Sequence, residues 1–99
     1  MCNLYSQKNS LQEIRDWFDV KAIDPSAGNL PEQKAIFPAY NAPVVYLESN
    51  DRKITMMKWG FVLQQSGKAI KHVNNCRDDK VMTSQFWKSS FFNRRCLVP

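Results

Sequence analysis

Apolar residues recur at helical spacing close to the start of the chain. Leu11, Ile14 and Phe18 follow one another every three or four positions, which is typical of an amphipathic helix. Ser10 and Glu13 form a capping-box pattern at its beginning. We therefore predict a short helix over residues 11–19.

The middle of the chain has the pattern of a β-hairpin. Residues 44–48 and 54–62 are rich in β-branched and aromatic side chains, and a polar turn at 49–52 separates them. Residues 21–33, by contrast, contain Asp-Pro, Ala-Gly-Asn and Leu-Pro sequences, which predict a loop.

Shorter signals follow in the last third of the chain. They predict a short strand near residues 70–75, a helix over 84–92 and a strand at 96–98. The fold class expected from all these elements is α+β, with a mixed and mostly antiparallel sheet flanked by two short helices. The strand at 96–98 would leave an unpartnered sheet edge.

Length and composition narrow the class of protein. A chain of 99 residues makes one small domain, and 43% hydrophobic residues suffice for a packed core. No apolar stretch approaches the ~18 residues of a membrane span, so we expect a cytoplasmic protein without membrane association. The odd number of cysteines favours thiols, ligands or core residues over a disulfide framework; the three are Cys2, Cys76 and Cys96.

Positive charge is concentrated in the second half. Residues 1–50 hold four Lys and Arg against six acidic residues, a balance of −2, whereas residues 51–99 hold ten against three, a balance of +7. A polyanion is the natural partner of such a half, although basic residues also keep small proteins soluble. Cations interleaved with aromatic residues suit single-stranded nucleic acid, although most of these rings are expected in the core. The cations are Lys68, Lys71, Arg77, Lys80, Lys88, Arg94 and Arg95.

The second residue offers the most specific chemistry. Removal of Met1 would leave Cys2 with a free α-amine beside its thiol. Such a 1,2-aminothiol captures aldehydes, because the amine forms an imine and the thiol then closes a five-membered thiazolidine ring. The alternative is a cysteine that merely follows the initiator methionine.

A polar cluster around Cys76 offers supporting groups. Asn75 supplies a carboxamide, and Arg77 can hold a phosphate through two hydrogen bonds while its charge favours deprotonated thiols and amines. The alternative is ordinary loop chemistry.

Two other interpretations use the single histidine. His72 is a possible base for Cys2 in a thiol protease, and the sequence leaves this alternative open. Zinc is a second alternative, but no C-x-x-C pair is present, so we expect no metal. The four candidate ligands would be Cys2, His72, Cys76 and Cys96.

Five short motifs occur in the order and spacing of one known family, and they extend over the whole chain. They are Met1-Cys2-Asn3-Leu4-Tyr5, Tyr40-Asn41-Ala42-Pro43, Trp59-Gly60-Phe61, Asn75-Cys76-Arg77 and Arg94-Arg95-Cys96-Leu97-Val98-Pro99. On these motifs the sequence resembles the SRAP family, the SOS-response-associated peptidase or abasic-site processing proteins.

The resemblance implies a barrel-like sheet in the full family and a specific activity. Cys2 would attack the aldehyde of an abasic site in single-stranded DNA and form a thiazolidine crosslink, after self-removal of Met1, from which the peptidase name comes. Asn75 would orient the reacting sugar or amine, and Arg77 would hold a flanking phosphate. No cofactor is expected. Further DNA contacts are expected from Lys71, Arg94 and Arg95.

The sequence departs from the family pattern in three places. Asn3 and Leu4 replace the usual Gly and Arg, and residues 62–65 lack the Pro and Trp that wedge against bases. The catalytic Glu and a later His of the family are expected after Pro99. The chain therefore resembles the N-terminal portion of a single SRAP domain, over residues 1–99.

Three hypotheses follow. The first is abasic-site crosslinking, with the family's peptidase, hydrolase or lyase-like activity left open. The second is a non-catalytic basic half-domain that binds single-stranded DNA without the family's Glu and His, and the third is an inactive remnant. In each case the half-domain is expected to pair with a second copy or with a missing C-terminal half.

Overall fold

The fold combines seven strands and two α-helices within residues 3–99, the part of the chain that the computed structural model describes. The strands form three sheets, and every strand pair except one is antiparallel. This confirms the α+β class; the strands described form no closed barrel. The elements are β1 (Tyr5–Gln7), α1 (Leu11–Trp17), β2 (Val20–Ile23), β3 (Gln33–Ile36), β4 (Asn41–Glu48), β5 (Asp51–Lys58), β6 (Phe61–Leu63), β7 (Lys71–Val73) and α2 (Lys88–Asn93).

The hairpin of β4 and β5 is the longest pairing. It runs in continuous register up to the pair Glu48 and Asp51. Ser49 and Asn50, which connect the strands, have positive φ angles of 52° and 70°, the combination found in type I′ hairpin turns. The predicted hairpin is confirmed, but the turn has two residues rather than four, and β5 ends at Lys58 instead of continuing to residue 62.

Strand β2 corrects the prediction of a loop over residues 21–33. It pairs in parallel with β5, so the sheet order is β2-β5-β4. Val20 is buried, but Lys21 and Ala22 are both exposed, and the register shifts between Val20 and Ala22. The segment therefore has no regular alternation that would have revealed it. A single 3₁₀ turn, Pro25–Ala27, follows it.

Helix α1 confirms the capping-box prediction. The Ser10 hydroxyl accepts a hydrogen bond from the Glu13 amide at 3.1 Å, and the Glu13 carboxylate accepts one from the Ser10 amide at 3.3 Å. Both bonds satisfy amides that have no partner inside the helix. The helix ends at Trp17, two residues earlier than predicted, and Asp19 adopts a positive φ of 51° just after it.

The main core lies between α1 and the three-stranded sheet. Residues at or near zero exposure come from α1, β2, the 3₁₀ turn and both hairpin strands. Burial of each Ile or Val side chain among them stabilises the fold by about 1.5–3 kcal/mol relative to leaving it exposed. They are Ile14, Val20, Ala27, Val45 and Ile54.

A second, smaller sheet joins the N-terminal segment to the fold. β1 pairs with β3, and Ile36 in β3 is fully buried. Gln7 is also buried, and its carboxamide donates to the Asn9 carbonyl and accepts from the Asn9 amide, both at 2.8 Å. These bonds offset the cost of burying a polar group. Neither strand was predicted, because both segments are short and mostly polar.

The last third of the chain has less regular structure than predicted. β7 confirms a short strand within residues 70–75, and β6 pairs with it. The predicted helix over 84–92 is wrong in its first turn. The Ser84 amide donates to the Lys80 carbonyl, the Trp87 amide donates to the Ser84 carbonyl, and the Ser84 hydroxyl accepts from the Phe86 amide at 3.3 Å. Such local bonds compete with a helix, and α2 begins only at Lys88.

The predicted strand at 96–98 is reduced to one bridge. Val45 and Leu97 exchange two backbone hydrogen bonds, at 2.9 and 2.7 Å. In this register the next pair would place Pro99 opposite Pro43. Because proline has no N–H group, the ladder cannot continue in that direction.

Candidate functional site

An open cavity of about 500 Å³ lies where β6, the segment 74–76 and the end of α2 meet. Its size lies in the range of sites that hold small organic molecules. The walls combine aromatic rings with two guanidinium groups. The main contributors are Trp59, Phe61, Trp87, Phe91, Arg94 and Arg95.

Trp59 reaches the cavity because the chain turns sharply between β5 and β6. Gly60 has a φ of +109°, which residues with a side chain rarely adopt. The Ala39 amide donates to the Trp59 carbonyl at 2.7 Å, and the Trp59 amide donates to the Tyr40 carbonyl at 2.9 Å. The Trp59 ring meets Tyr5 edge to face, with centroids 5.0 Å apart. β1 therefore begins against the cavity wall.

Three more rings form a cluster on the same side of the molecule. The centroid of Trp87 lies 4.8 Å from that of Phe61 and 4.8 Å from that of Phe86, all in tilted or edge-on arrangements. Aromatic pairs favour such geometry. Phe61 still exposes 41% of its surface, so part of the cluster is open to a ligand.

The two arginines at the end of α2 are held in place by the helix itself. Arg94 donates to the hydroxyls of Ser89 and Ser90, at 3.0 and 2.7 Å. The guanidinium of Arg95 lies 3.9 Å above the Phe91 ring, and its Nε donates to the Phe91 carbonyl. Both residues remain exposed. The two positive charges therefore lie beside the aromatic rings of the cavity, where they can bind the phosphate of a ligand.

The segment 74–76 also borders the cavity. Asn74 and Cys76 line it, with half-buried Asn75 between them. Arg77 does not reach the cavity lining; it is exposed and pairs with Asp79, with an N–O distance of 2.9 Å. Lys71 is exposed on β7, opposite Leu63 in β6, and also lies outside the lining.

Cys96 also lines the cavity, and like Cys76 it is an exposed residue with a free thiol. Desolvation raises the pKa of the Cys96 thiol above its ordinary value. Burial, and after it the nearby Cys96, raises the pKa of the Tyr5 hydroxyl. Because a thiolate is the reactive form, this environment makes Cys96 a wall residue rather than an activated nucleophile.

A comparison with known protein families assigns the chain to a family. The model of one family, SOS response associated peptidase (SRAP), matches residues 1–99. The chain belongs to the SRAP family. Membership supports a role in the SOS response to DNA damage and suggests an interaction with DNA. No curated protein and no solved structure gives a significant match.

The cavity of this SRAP chain gathers residues from three of the five motifs. Trp59, Cys76 and Arg95 represent them, although 36 residues separate the first of these from the last. Of the site residues predicted from the sequence, Arg94 and Arg95 line the cavity, Asn75 adjoins it, and Arg77 and Lys71 do not line it. Cys2 lies outside the residues that the structure describes.

The alternatives based on His72 gain no support from its surroundings. His72 is exposed on β7. Within residues 3–99, no three His, Cys, Asp or Glu residues are grouped as they would be to hold a metal ion. No helix in the same range is long and apolar enough to cross a membrane.

Sequence reasoning missed Trp87 and Phe91 as wall residues, because aromatic residues at helical spacing were assigned to the core. The signal that could have identified them was their position among Lys88, Arg94 and Arg95. A ring flanked by several cations is placed at the surface more readily than one flanked by apolar residues.

Proposed function

We propose that this SRAP chain captures abasic sites in single-stranded DNA through a covalent bond to Cys2. The observation that carries this proposal is the family match over residues 1–99, which includes Cys2 within the N-terminal motif. Removal of Met1, the self-processing reaction implied by the family's peptidase name, would expose the α-amine of Cys2. We expect the reaction in the cytoplasm.

The proposed chemistry needs no cofactor. The ring-opened sugar of an abasic site carries an aldehyde, and the neutral α-amine of Cys2 adds to its carbonyl carbon. Loss of one water molecule gives an imine, and the thiol sulfur then adds to the imine carbon while its proton passes to the nitrogen. The product is a thiazolidine, which retains every other atom of the protein and the DNA. Ring closure is fast because both nucleophiles belong to one residue.

The geometry of the cavity supports this proposal. The contact between Tyr5 and Trp59 fixes the start of β1 to the cavity wall, three residues after Cys2. Asn75 lies in the chain between Asn74 and Cys76, which line the same cavity, and would orient the reacting sugar or amine.

The surrounding cations would bind the DNA backbone. Arg94 and Arg95 lie at the cavity, and Arg77 and Lys71 are exposed nearby in sequence. Each phosphate contact adds affinity that falls with rising salt. The exposed ring of Phe61 and the half-buried ring of Trp59 would pack against bases next to the abasic site.

We further propose that residues 1–99 act as the nucleophile-bearing part of one SRAP domain. The family's catalytic Glu and His would come from chain after Pro99, and the exposed side chains of Leu47, Leu97 and Val98 would be covered by it or by a second copy. Size-exclusion chromatography with light scattering tests whether two copies pair. A monomer that unfolds cooperatively would exclude pairing with a second copy.

The crosslink is tested on a denaturing gel. The purified chain is incubated with a single-stranded oligonucleotide that contains one abasic site, and intact mass spectrometry first establishes whether Met1 has been removed. We expect a shifted band that is absent for Cys2→Ala and present for Cys96→Ala. A band of equal intensity for Cys2→Ala, or no band for a chain that lacks Met1, contradicts the proposal.

The runner-up is a module that binds single-stranded DNA without covalent chemistry. The exposed arginines at the cavity favour it, because they bind phosphate whether or not Cys2 reacts. Its signature would be salt-sensitive affinity for undamaged DNA that is unchanged by Cys2→Ala and reduced by Arg94→Ala. The gel and the binding measurement together separate the two functions.

A further inference from the structure

The guanidinium of Arg77 is held side-on by a carboxylate two residues away. Its Nε donates to Oδ1 of Asp79 at 3.1 Å, and its Nη2 donates to Oδ2 at 2.9 Å. A tight turn brings the two side chains together, because the Lys80 amide donates to the Arg77 carbonyl at 3.0 Å. The Cys76 thiol donates to the same carbonyl at 3.3 Å.

This contact occupies only one edge of the guanidinium. Arginine has five N–H groups in a planar fork, and Asp79 accepts from one on Nε and one on Nη2. The edge formed by Nη1 and the remaining Nη2 hydrogen has the spacing that binds two oxygens of a phosphate. The Arg77 side chain is 78% exposed, so a DNA strand has access to it.

We propose that Asp79 is a positioning residue that orients Arg77 for a bidentate contact with a DNA phosphate. The inference rests on the proposed function, which assigns a phosphate to Arg77. A free arginine side chain samples many rotamers, and a side chain already held in one orientation loses less conformational freedom when it binds. The negative charge of Asp79 acts in the opposite direction, because it weakens the attraction of the turn for DNA.

The neighbouring acid separates these two effects. Asp78 lies on the same turn and carries the same charge, but it forms no ion pair within residues 3–99. Asp78→Asn and Asp79→Asn therefore remove equal charge, while only Asp79→Asn removes the two-oxygen contact with Arg77. Because the charge of Asp79 also screens Arg77 more closely than that of Asp78, weaker binding by Asp79→Asn than by Asp78→Asn shows that the gain from orientation exceeds this screening.

The experiment uses fluorescence anisotropy with a labelled single-stranded oligonucleotide that carries a tetrahydrofuran abasic analogue. This analogue has no aldehyde, so binding is measured without the Cys2 reaction. We expect Asp79→Asn to bind about 1.5- to five-fold more weakly than Asp78→Asn, the range for an exposed ion pair. Equal affinities, or tighter binding by Asp79→Asn, would overturn the inference.

The same two variants made together with Arg77→Lys show whether Asp79 acts through the guanidinium of Arg77. Lysine keeps the charge at position 77 but has no fork to orient. In the Arg77→Lys background we therefore expect Asp78→Asn and Asp79→Asn to bind equally. A difference that persists there would assign Asp79 a purely structural role and overturn the inference.

The same measurement distinguishes this inference from the proposed function. If Arg77→Ala binds like the unmodified chain, the phosphate role of Arg77 fails, and the inference fails with it. If Arg77→Ala weakens binding while Asp79→Asn matches Asp78→Asn, only the inference fails. The crosslink to an aldehyde-bearing oligonucleotide is scored separately, because it depends on Cys2.

Discussion

Residues 3–58 and residues 59–99 differ in packing and in charge. Every buried hydrophobic residue of the described core lies in the first region. The second region has two three-residue strands, the six-residue helix α2 and the open cavity. Residues 1–58 hold seven Lys and Arg against seven acids, whereas residues 59–99 hold seven against two, a balance of +5 that equals the net charge of the chain.

Buried hydrophobic packing and the excess positive charge are therefore located in separate parts of this small fold. The radius of gyration is 14.7 Å, above the ~13 Å expected for a globule of this length, as the open second region requires. Substitutions in the first region should therefore alter the free energy of unfolding, and substitutions in the second should alter DNA affinity.

The largest effect is expected for Ile54→Ala, at the centre of the sheet. Ile54 is fully buried in the core cluster, so the loss of its methyl groups and the resulting cavity should lower the free energy of unfolding by about 2–4 kcal/mol. Urea unfolding followed by circular dichroism measures this value. Val62→Ala, at a 55% exposed position of β6, is the matched control. An equal loss in the control would break the division between the two regions.

The next effect is expected for the double variant Arg94→Ala and Arg95→Ala. Loss of both cations should weaken binding to a single-stranded oligonucleotide about tenfold. The slope of log affinity against log salt should fall by about 0.7 for each phosphate that the protein no longer neutralises. Arg15→Ala, an exposed arginine of α1, serves as the control for a change of net charge. The division would fail if Arg15→Ala weakened binding as much as the double variant.

A smaller effect is expected for Ser10→Ala. This substitution removes the hydroxyl that caps α1, and the free energy of unfolding should fall by about 1 kcal/mol. Ser66→Ala, at an exposed turn position of the second region, should change it by less than about 0.5 kcal/mol. Thermal unfolding of both variants provides the comparison, and the reverse order would count against the location of stability in the first region.

The smallest effect concerns the two thiols at the cavity. Desolvation raises the pKa of the Cys96 thiol, so less of it is thiolate near pH 8, and iodoacetamide should modify Cys76 a few-fold faster than Cys96. The difference should narrow as the pH rises toward the raised pKa. Mass spectrometry of the Cys2→Ala variant follows both rates. Faster modification of Cys96 than of Cys76 would contradict the raised pKa of the Cys96 thiol.

Sequence patterns predicted the elements that depend on neighbouring residues. The Ser10 and Glu13 capping box, the buried position of Ile14 and the antiparallel pairing of residues 44–48 all follow from signals within a few positions. Errors arose where distant segments compete. The prediction of a loop at β2 was wrong because the partner of this strand is β5, about thirty residues away, and the predicted strand at 96–98 is reduced to one bridge between Leu97 and Val45.

The candidate site divides in the same way. The aldehyde-capturing chemistry of Cys2 and the positive balance of the second half follow from residue types alone, since they require no knowledge of contacts. The fold was needed to join Trp59, Cys76 and Arg95 at one cavity.

Local interactions, composition and motif order are thus readable along the chain, because each involves residues close in sequence or needs no geometry. The parallel partner of β5, the single bridge of Leu97 and the walls of the cavity emerge only in the folded molecule. Each depends on closing a long loop, and the entropy of that closure is offset by packing contacts spread over several elements.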